Sequence, residues 1–316
     1  MTLDHDSIVA AAERIAGLVE RTPLIEANLP GGRVWLKAEC RQTGGSFKLR
    51  GATNRLLQLS QAERRAGVVA FSSGNHAQGV AIAAARLGIP ATIVMPADAP
   101  ALKVAGTRAE GAEIVFYDRG HEDRVAIAEK LAAERGAVVV PSFDDYAIVA
   151  GQGTAGLETV AQCPEPVRRI LVCTGGGGLA AGIALAVPEA DIICVEPAGW
   201  DDMGRSLGAG RIEPVGPNPP PTLCDALQTP LVSPITFGVL AERGARGVSV
   251  SEDEVKAAVR WAWRALGLVV EPGGAVALAA LLAGKVAVEP GTVATLSGGN
   301  IDPALHEKIV GEGRSS

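Results

Sequence analysis

The chain has 316 residues, a mass of 32.3 kDa and 47% hydrophobic residues, enough to bury the core of one large or two medium domains. A net charge of −6, with acids and bases interspersed, excludes the basic field that would attract nucleic acid or an anionic membrane. Asp4, His5 and Asp6 break any signal-peptide pattern and no apolar run is long enough to span a bilayer, so a cytoplasmic protein is expected.

In chain order, the first informative segment is Gly44-Gly45-Ser46-Phe47-Lys48-Leu49-Arg50-Gly51-Ala52. Lys48 stands between Phe47 and Leu49 at the start of an apolar helix. An amine in such surroundings loses ammonium character and becomes nucleophilic enough to form a Schiff base with an aldehyde. Snorkelling to the surface is the competing reading. Ser60 with Glu63 spells a capping box. The apolar runs 68–71, 91–95, 114–117 and 138–140 alternate with helical patterns such as 76–87 and 124–135, a βαβ series. Between the first of these strands and its helix lies Ser72-Ser73-Gly74-Asn75-His76. Its N–H groups suit a carboxylate, although a plain helix cap reads the same way.

A second series starts with strand 170–173 and continues through strand 191–195 to strand 292–296. Two parallel sheets are the economical reading. Gly175, Gly176, Gly177 and Gly178 follow the strand at 170–173 and precede a helix at 179–187. Without Cβ atoms such a loop brings several N–H groups to one anion, and the helix start adds its positive end. The Pro- and Gly-rich stretch 208–221 is expected to be an extended surface excursion. Ser251 with Glu254 makes a second capping box, opening a helix at 255–266. Ser297-Gly298-Gly299-Asn300 follows the last strand as another loop of site-lining type. The five cysteines are odd in number and lack CxxC spacing, which points to neither a disulfide framework nor a zinc cage. Cys173 and Cys194, inside apolar runs, read as inert core residues.

The glycine run alone admits two owners. Gly176-x-Gly178-x-x-Ala181 satisfies a dinucleotide fingerprint, and Glu196 lies where a ribose-binding acid would sit. A nucleotide-binding module on this loop would leave the first βαβ series without a task.

Together with Arg21-Thr22-Pro23-Leu24 and Ala150-Gly151-Gln152-Gly153-Thr154, these segments resemble fold type II pyridoxal-phosphate enzymes, in the branch of serine/threonine dehydratases and serine racemase. The resemblance runs from Arg21 to Asp302. It implies an α/β, two-domain tryptophan-synthase-β-like fold, each domain a mostly parallel sheet flanked by helices. Residues 1–66 and 145–316 would form a large cofactor-binding domain and 67–144 a small substrate-gripping one. By the same resemblance Lys48 carries pyridoxal 5′-phosphate covalently, Phe47 packs beside its ring and Asn75 bonds its phenolic oxygen. Gly175, Gly176, Gly177, Gly178 and Leu179 would cradle the phosphate, and Ser297 would meet the ring nitrogen. Ser73, Gly74, Asn75 and His76 would grip the substrate carboxylate.

A hydroxyl at the ring nitrogen makes a weaker electron sink than a carboxylate would, which suits β-elimination. The resemblance thus implies an ammonia-lyase that converts a small β-hydroxy amino acid, L-serine or L-threonine first, to a 2-oxo acid and ammonia. Lys48 would act as base and Ser73 would face the opposite side of the substrate, as in racemase-like members. Phe143 matches the dehydratase form of its loop. Arg124 matches an arginine that meets dicarboxylic ligands, which opens 3-hydroxyaspartate dehydratase as an alternative, with a serine- or aspartate-type racemase next; a helix-surface arginine beside Glu122 and Asp123 is the plainer reading. Glu196, the Trp200 carbonyl and Asp202 match a Mg²⁺ or Ca²⁺ loop of the racemase-like members. Asp225-Ala226 departs from the family's usual Asp-Gly. The chain ends soon after Asn300, so the regulatory domain of biosynthetic threonine dehydratases, and feedback by isoleucine, are not expected. A homodimer acting on a small amino acid is the expected form.

Overall fold

The computed structural model describes residues 3–99 and 101–312. Ten strands appear among these residues: β1 (Leu24–Leu29), β2 (Gly32–Lys37), β3 (Val68–Phe71), β4 (Ala91–Pro96), β5 (Glu113–Tyr117), β6 (Val138–Val139), β7 (Arg169–Cys173), β8 (Asp191–Pro197), β9 (Arg246–Val250) and β10 (Thr292–Thr295). The helices of the first half are α1 (His5–Ile15), α2 (Lys48–Leu57), α3 (Gln61–Ala66), α4 (Asn75–Leu87), α5 (Ala101–Ala109) and α6 (Arg124–Arg135). Those of the second half are α7 (Tyr146–Gln162), α8 (Gly178–Ala186), α9 (Asp202–Ala209), α10 (Pro234–Glu242), α11 (Glu252–Leu266), α12 (Pro272–Leu282) and α13 (Pro303–Gly311).

The strands form a six-stranded sheet in the order β1-β2-β10-β7-β8-β9 and a four-stranded sheet in the order β5-β4-β3-β6. All pairings are parallel except β1 with β2, an antiparallel hairpin that the sequence reading passed over. Continuous apolar strands need cover on both faces, and the larger sheet has it. Leu171, Cys173, Ile193 and Val195 point into the core with α11 and α12, while Ile170, Val172, Ile192 and Cys194 point into the core with α1, α7 and α8. The smaller sheet is packed likewise, with α2 and α4 on one side and α6 on the other.

This strand order places the site. Successive strands leave β7 toward β8 and β9, whereas β10 and β2 lie on its other flank; β3 similarly separates β4 from β6. Both positions are topological switch points, where loops at the carboxyl ends of parallel strands splay apart and leave a crevice. The loops after β7, β3 and β10 are 174–177, 72–74 and 296–302.

Helix α2, which begins with Lys48, is held from below by a buried charge cluster. The Arg50 guanidinium donates to both Glu39 carboxylate oxygens, at 2.8 and 2.9 Å, and to Glu158 at 2.7 and 2.8 Å. The fully buried Lys37 ammonium donates to Glu158 at 2.6 Å and to the Thr22 carbonyl at 2.7 Å. Breaking one partner of such a cluster leaves a buried charge unpaired, at a cost of roughly 3–5 kcal/mol.

Both capping boxes form as expected, Ser60 with Glu63 and Ser251 with Glu254. One expectation needs correction. Gly208 and Ala209 belong to α9, whose amphipathic pattern from Met203 to Leu207 carries the helix on to a left-handed Gly210, so the extended excursion begins only there. Among the described residues no helix is long and apolar enough to cross a membrane.

Helices α7 and α8 cross at a glycine contact. A Cβ on Gly182 would lie 2.5 Å from both the Gly153 nitrogen and the Val149 oxygen. Gly182→Ala is therefore expected to lower stability by about 1–3 kcal/mol, read as a lower midpoint in urea at unchanged slope. An unchanged midpoint would show that this crossing is not close-packed.

Candidate active site

Helices α2, α4 and α8 start at the crevice, and among the described residues no N-cap side chain bonds to their first-turn N–H groups; α12, which opens there on Glu271 and Pro272, is likewise uncapped. Their neighbours α1, α3, α6, α7, α10, α11 and α13 are capped by Asp4, Ser60, Asp123, Asp145, Ser233, Ser251 and Asp302. A helix start left bare and buried is a ready site for an anion.

The glycine run forms the first of these starts. Gly177 adopts φ 84°, a left-handed turn that swings the chain from β7 into α8. Among the described residues, none of the N–H groups from Gly175 to Leu179 donates to a protein acceptor, and residues 176–179 are buried. Side chains are excluded by the walls: a Cβ on Gly176 would sit 2.3 Å from the Phe143 ring, and one on Gly177 would sit 2.5 Å from Met203 Cε. Unpartnered donors on bare backbone fit a phosphate.

The start of α4 is similar. Gly74 donates to Ser72 Oγ at 3.1 Å, while the N–H groups of Ser73, Asn75 and His76 have no protein acceptor among the described residues. The His76 ring is buried, and its Nε2 donates to the Val140 carbonyl at 2.8 Å. Burial, with the Lys48 charge nearby, pulls the imidazole down to about 3, so it is neutral and Nδ1 is left without a partner. His76 therefore offers its backbone, not a cation.

Lys48 is the first residue of α2. Its Nζ donates to the Ser142 carbonyl at 2.8 Å and lies 5.2 Å from the centre of the Phe47 ring. Burial brings its ammonium down from 10.5 to about 8, the behaviour expected of an amine in this sequence context. The residue after Ser142, Phe143, packs against Gly176 and Gly178, so one short segment touches both the lysine and the glycine loop. On the other side, the Ser297 carbonyl accepts from the Phe47 N–H at 3.2 Å and Ser46 bridges to Gly298, which fixes the loop after β10 against the turn that precedes Lys48.

The sequence reading missed Glu271. It is buried at the start of α12, accepts from Asn75 Nδ2 at 2.5 Å, and is pushed up to about 8 by burial and by Asp225, against the Asn75 hydrogen bond. The signal was present as an acid between the apolar pair Val269-Val270 and Pro272-Gly273-Gly274. Also unforeseen is an ion pair across the mouth, Lys103 on α5 to Asp225 at 2.5 Å, with Lys103 Nζ 4.0 Å from where a Gly74 Cβ would lie. Ala226 sits in the 3-10 turn Asp225–Leu227 at negative φ, so the replacement of glycine there brings no strain.

Arg124 stands at the first position of α6 with its guanidinium 5.8 Å over the ring of Phe71, the residue before the 72–76 loop. No acidic side chain among the described residues pairs with it; Asp123 caps the helix instead. The second-half acids behave differently from a ribose site. Glu196 is buried and both its oxygens accept from the start of α9, from Met203 N–H at 3.0 Å and Gly204 N–H at 2.8 Å, which removes the dinucleotide reading's acid. Beside it, Asp202 is buried, and among the described residues neither oxygen makes a well-formed hydrogen bond, although the backbone of Asp202 and Val232 approaches it. Burial lifts Asp202 to about 6 and holds Glu196 well above the usual carboxylate range. Among the described residues no group of three or more His, Cys, Asp or Glu side chains is placed to hold an ion. Cys173 and Cys194 are buried with raised thiols, as expected of core residues.

Comparison with known proteins agrees with this geometry. Residues 15–299 match the family model described as pyridoxal-phosphate dependent enzyme. The chain is 42% identical to an L-threo-3-hydroxyaspartate ammonia-lyase of a Pseudomonas species, over 94% of this chain and 95% of that one. It superposes on maize serine racemase with a TM-score of 0.91 at 35% identity, covering 98% and 97% of the two chains. It superposes on a threonine deaminase from T.th. with a TM-score of 0.87 at 43% identity, covering 95% and 99%.

The depressed amine is directly measurable. Competitive trace acetylation across pH is expected to give Lys48 a midpoint near 8, against roughly 10.4 for surface lysines. Its reactivity rises as pH passes upward through that midpoint, because the free amine reacts. A midpoint at the surface value would contradict the desolvated placement.

Proposed function

Since the chain belongs to the pyridoxal-phosphate dependent enzymes, in the serine/threonine dehydratase-like class, we propose that it eliminates the β-hydroxyl of a small amino acid, yielding a 2-oxo acid and ammonia. The carrying observation is the row of unpartnered N–H groups from Gly175 to Leu179, one short segment away from a desolvated Lys48. When bound, pyridoxal phosphate supplies an electron sink that loosens the Cα proton and the β-substituent of an amino acid.

The chain's own residues fit that chemistry. The N–H groups of Gly175 to Leu179 hold the phosphate. Lys48 offers a free amine for covalent attachment and, once displaced by substrate, a base for the Cα proton. Phe47 lines the ring, Asn75 donates to the phenolic oxygen, and Ser297 gives the ring nitrogen a neutral hydroxyl. The substrate carboxylate lies on the backbone of Ser73, Gly74, Asn75 and His76, with the Ser73 hydroxyl on the face opposite Lys48. The four-stranded sheet and its helices, residues 67–144, act as the unit that grips the substrate.

L-Serine and L-threonine are the first substrates. A second reading, 3-hydroxyaspartate, is favoured by Arg124, an arginine free of acidic partners among the described residues and beside the carboxylate loop, and by the activity named for the 42%-identical relative. Glu196, Asp202 and the Trp200 carbonyl form a Mg²⁺ or Ca²⁺ site in this proposal. The support is Asp202, whose buried oxygens, without a well-formed hydrogen bond among the described residues, are the donors a hard cation takes.

Purified protein supplied with pyridoxal phosphate is expected to release 2-oxo acid from at least one of L-serine, L-threonine and the threo and erythro 3-hydroxyaspartates. Lys48→Ala is expected to abolish the visible cofactor band and cut turnover at least about 10³-fold. Release from none of the four would overturn the lyase reading. If 3-hydroxyaspartate is the substrate, Arg124→Ala costs it about 10–100-fold in kcat/KM and spares serine; equal losses on both would remove the role assigned to Arg124. Mg²⁺ or Ca²⁺ at 100 times its Kd adds about 2.7 kcal/mol of stability, lost in Asp202→Asn. A melting temperature indifferent to both cations would remove the site.

A further inference from the structure

Asn300 ties together three segments that are distant in sequence. Its Nδ2 lies 2.8 Å from the Gly44 carbonyl, 2.8 Å from Asn75 Oδ1 and 2.8 Å from Gln78 Oε1. The first acceptor belongs to the turn before Lys48, and the other two to the opening turn of α4. Its own Oδ1 rests against Gly45, where a Cβ would be only 2.2 Å away, so the side chain fits because residue 45 is a glycine at φ +73°. A main-chain carbonyl cannot exchange roles with its partner. The Gly44 oxygen therefore fixes Asn300 as a donor on this side.

That choice is passed on. The Asn300 amide has two hydrogens for three acceptors; with one on Gly44 and the other shared between Asn75 and Gln78, the Asn75 amide turns Oδ1 toward it and Nδ2 faces Glu271 Oε1 at 2.5 Å. A flipped Asn75 would set two NH₂ groups against each other. That mismatch would be partly buried, where an unmade hydrogen bond is costly.

We propose that Asn300 is a positioning residue that holds Asn75 as a hydrogen-bond donor toward the cofactor's phenolic oxygen. The inference rests on the proposed cofactor placement and adds to it the group that sets the donor's direction. A donor on the phenolic oxygen draws off negative charge that would otherwise stabilise the proton on the neighbouring nitrogen of the lysine linkage. Losing that donor strengthens the hold on the proton, and the pH midpoint of the visible band rises.

The test is a spectrophotometric pH titration of cofactor-loaded wild type, Asn300→Ala, Asn75→Ala and the double variant. All replacements are neutral, so no new charge moves the midpoint. Asn300→Ala is expected to raise it by roughly 0.5–1 pH unit, and to add nothing in the Asn75→Ala background, because both changes act through one donor. Asn300→Ser, titrated alongside, keeps the question open to refutation if the alanine variant does not fold. A wild-type midpoint retained in either folded variant, or a rise that persists in full without Asn75, would overturn the inference. Wild type with no visible band would instead overturn the cofactor reading, and this inference with it.

Discussion

Helix starts normally need side-chain caps, and α2, α4 and α8 at the crevice have none. At seven other helices Asp and Ser side chains fill that role and α9 is satisfied by the Glu196 carboxylate, while α12 opens on Glu271 and Pro272 without a side-chain cap. Withholding caps from α4 and α8 leaves buried donors that, among the described residues, only an anion or water can satisfy. Lys48 stands near them, and its own burial disfavours the ammonium form. Bare helix starts thus prepare two anion cradles, and burial prepares a reactive amine between them.

Such an arrangement stores unfavourable interactions, and the surrounding fold has to hold it rigidly. Glycines permit the approach: the α7 and α8 backbones touch at Gly153 and Gly182, and Phe143 presses on Gly176. Below α2, the cluster of Arg50, Glu39, Glu158 and Lys37 balances its charges by direct pairs. Its worth lies in geometry more than in net energy, since buried pairs roughly offset their own desolvation. It keeps the first turn of α2 in place while the lysine at its head stays uncompensated.

Much of this was legible in the sequence because it is written in short local patterns. Lys48 between apolar neighbours, four consecutive glycines after a strand, and small polar loops after two other strands each name a backbone geometry within a few residues. The long-range contacts were not legible. Glu271 meets Asn75 across 196 positions and Asn300 meets Asn75 across 225, and no local pattern encodes such a meeting. The same reason explains the changed meaning of Glu196, whose spacing suited a ribose but whose burial serves α9. The antiparallel β1–β2 hairpin escaped because its strands are only partly buried and show neither clean alternation nor a continuous apolar run.

The central claim is that Lys48 is the amine on which a phosphate-bearing aldehyde is anchored. It is tested most directly by incubating the protein with pyridoxal phosphate, reducing with borohydride, digesting and locating the added mass. The account expects one adduct per chain, on the peptide that contains Lys48. Adducts spread over the surface lysines, or confined to another site, would contradict it.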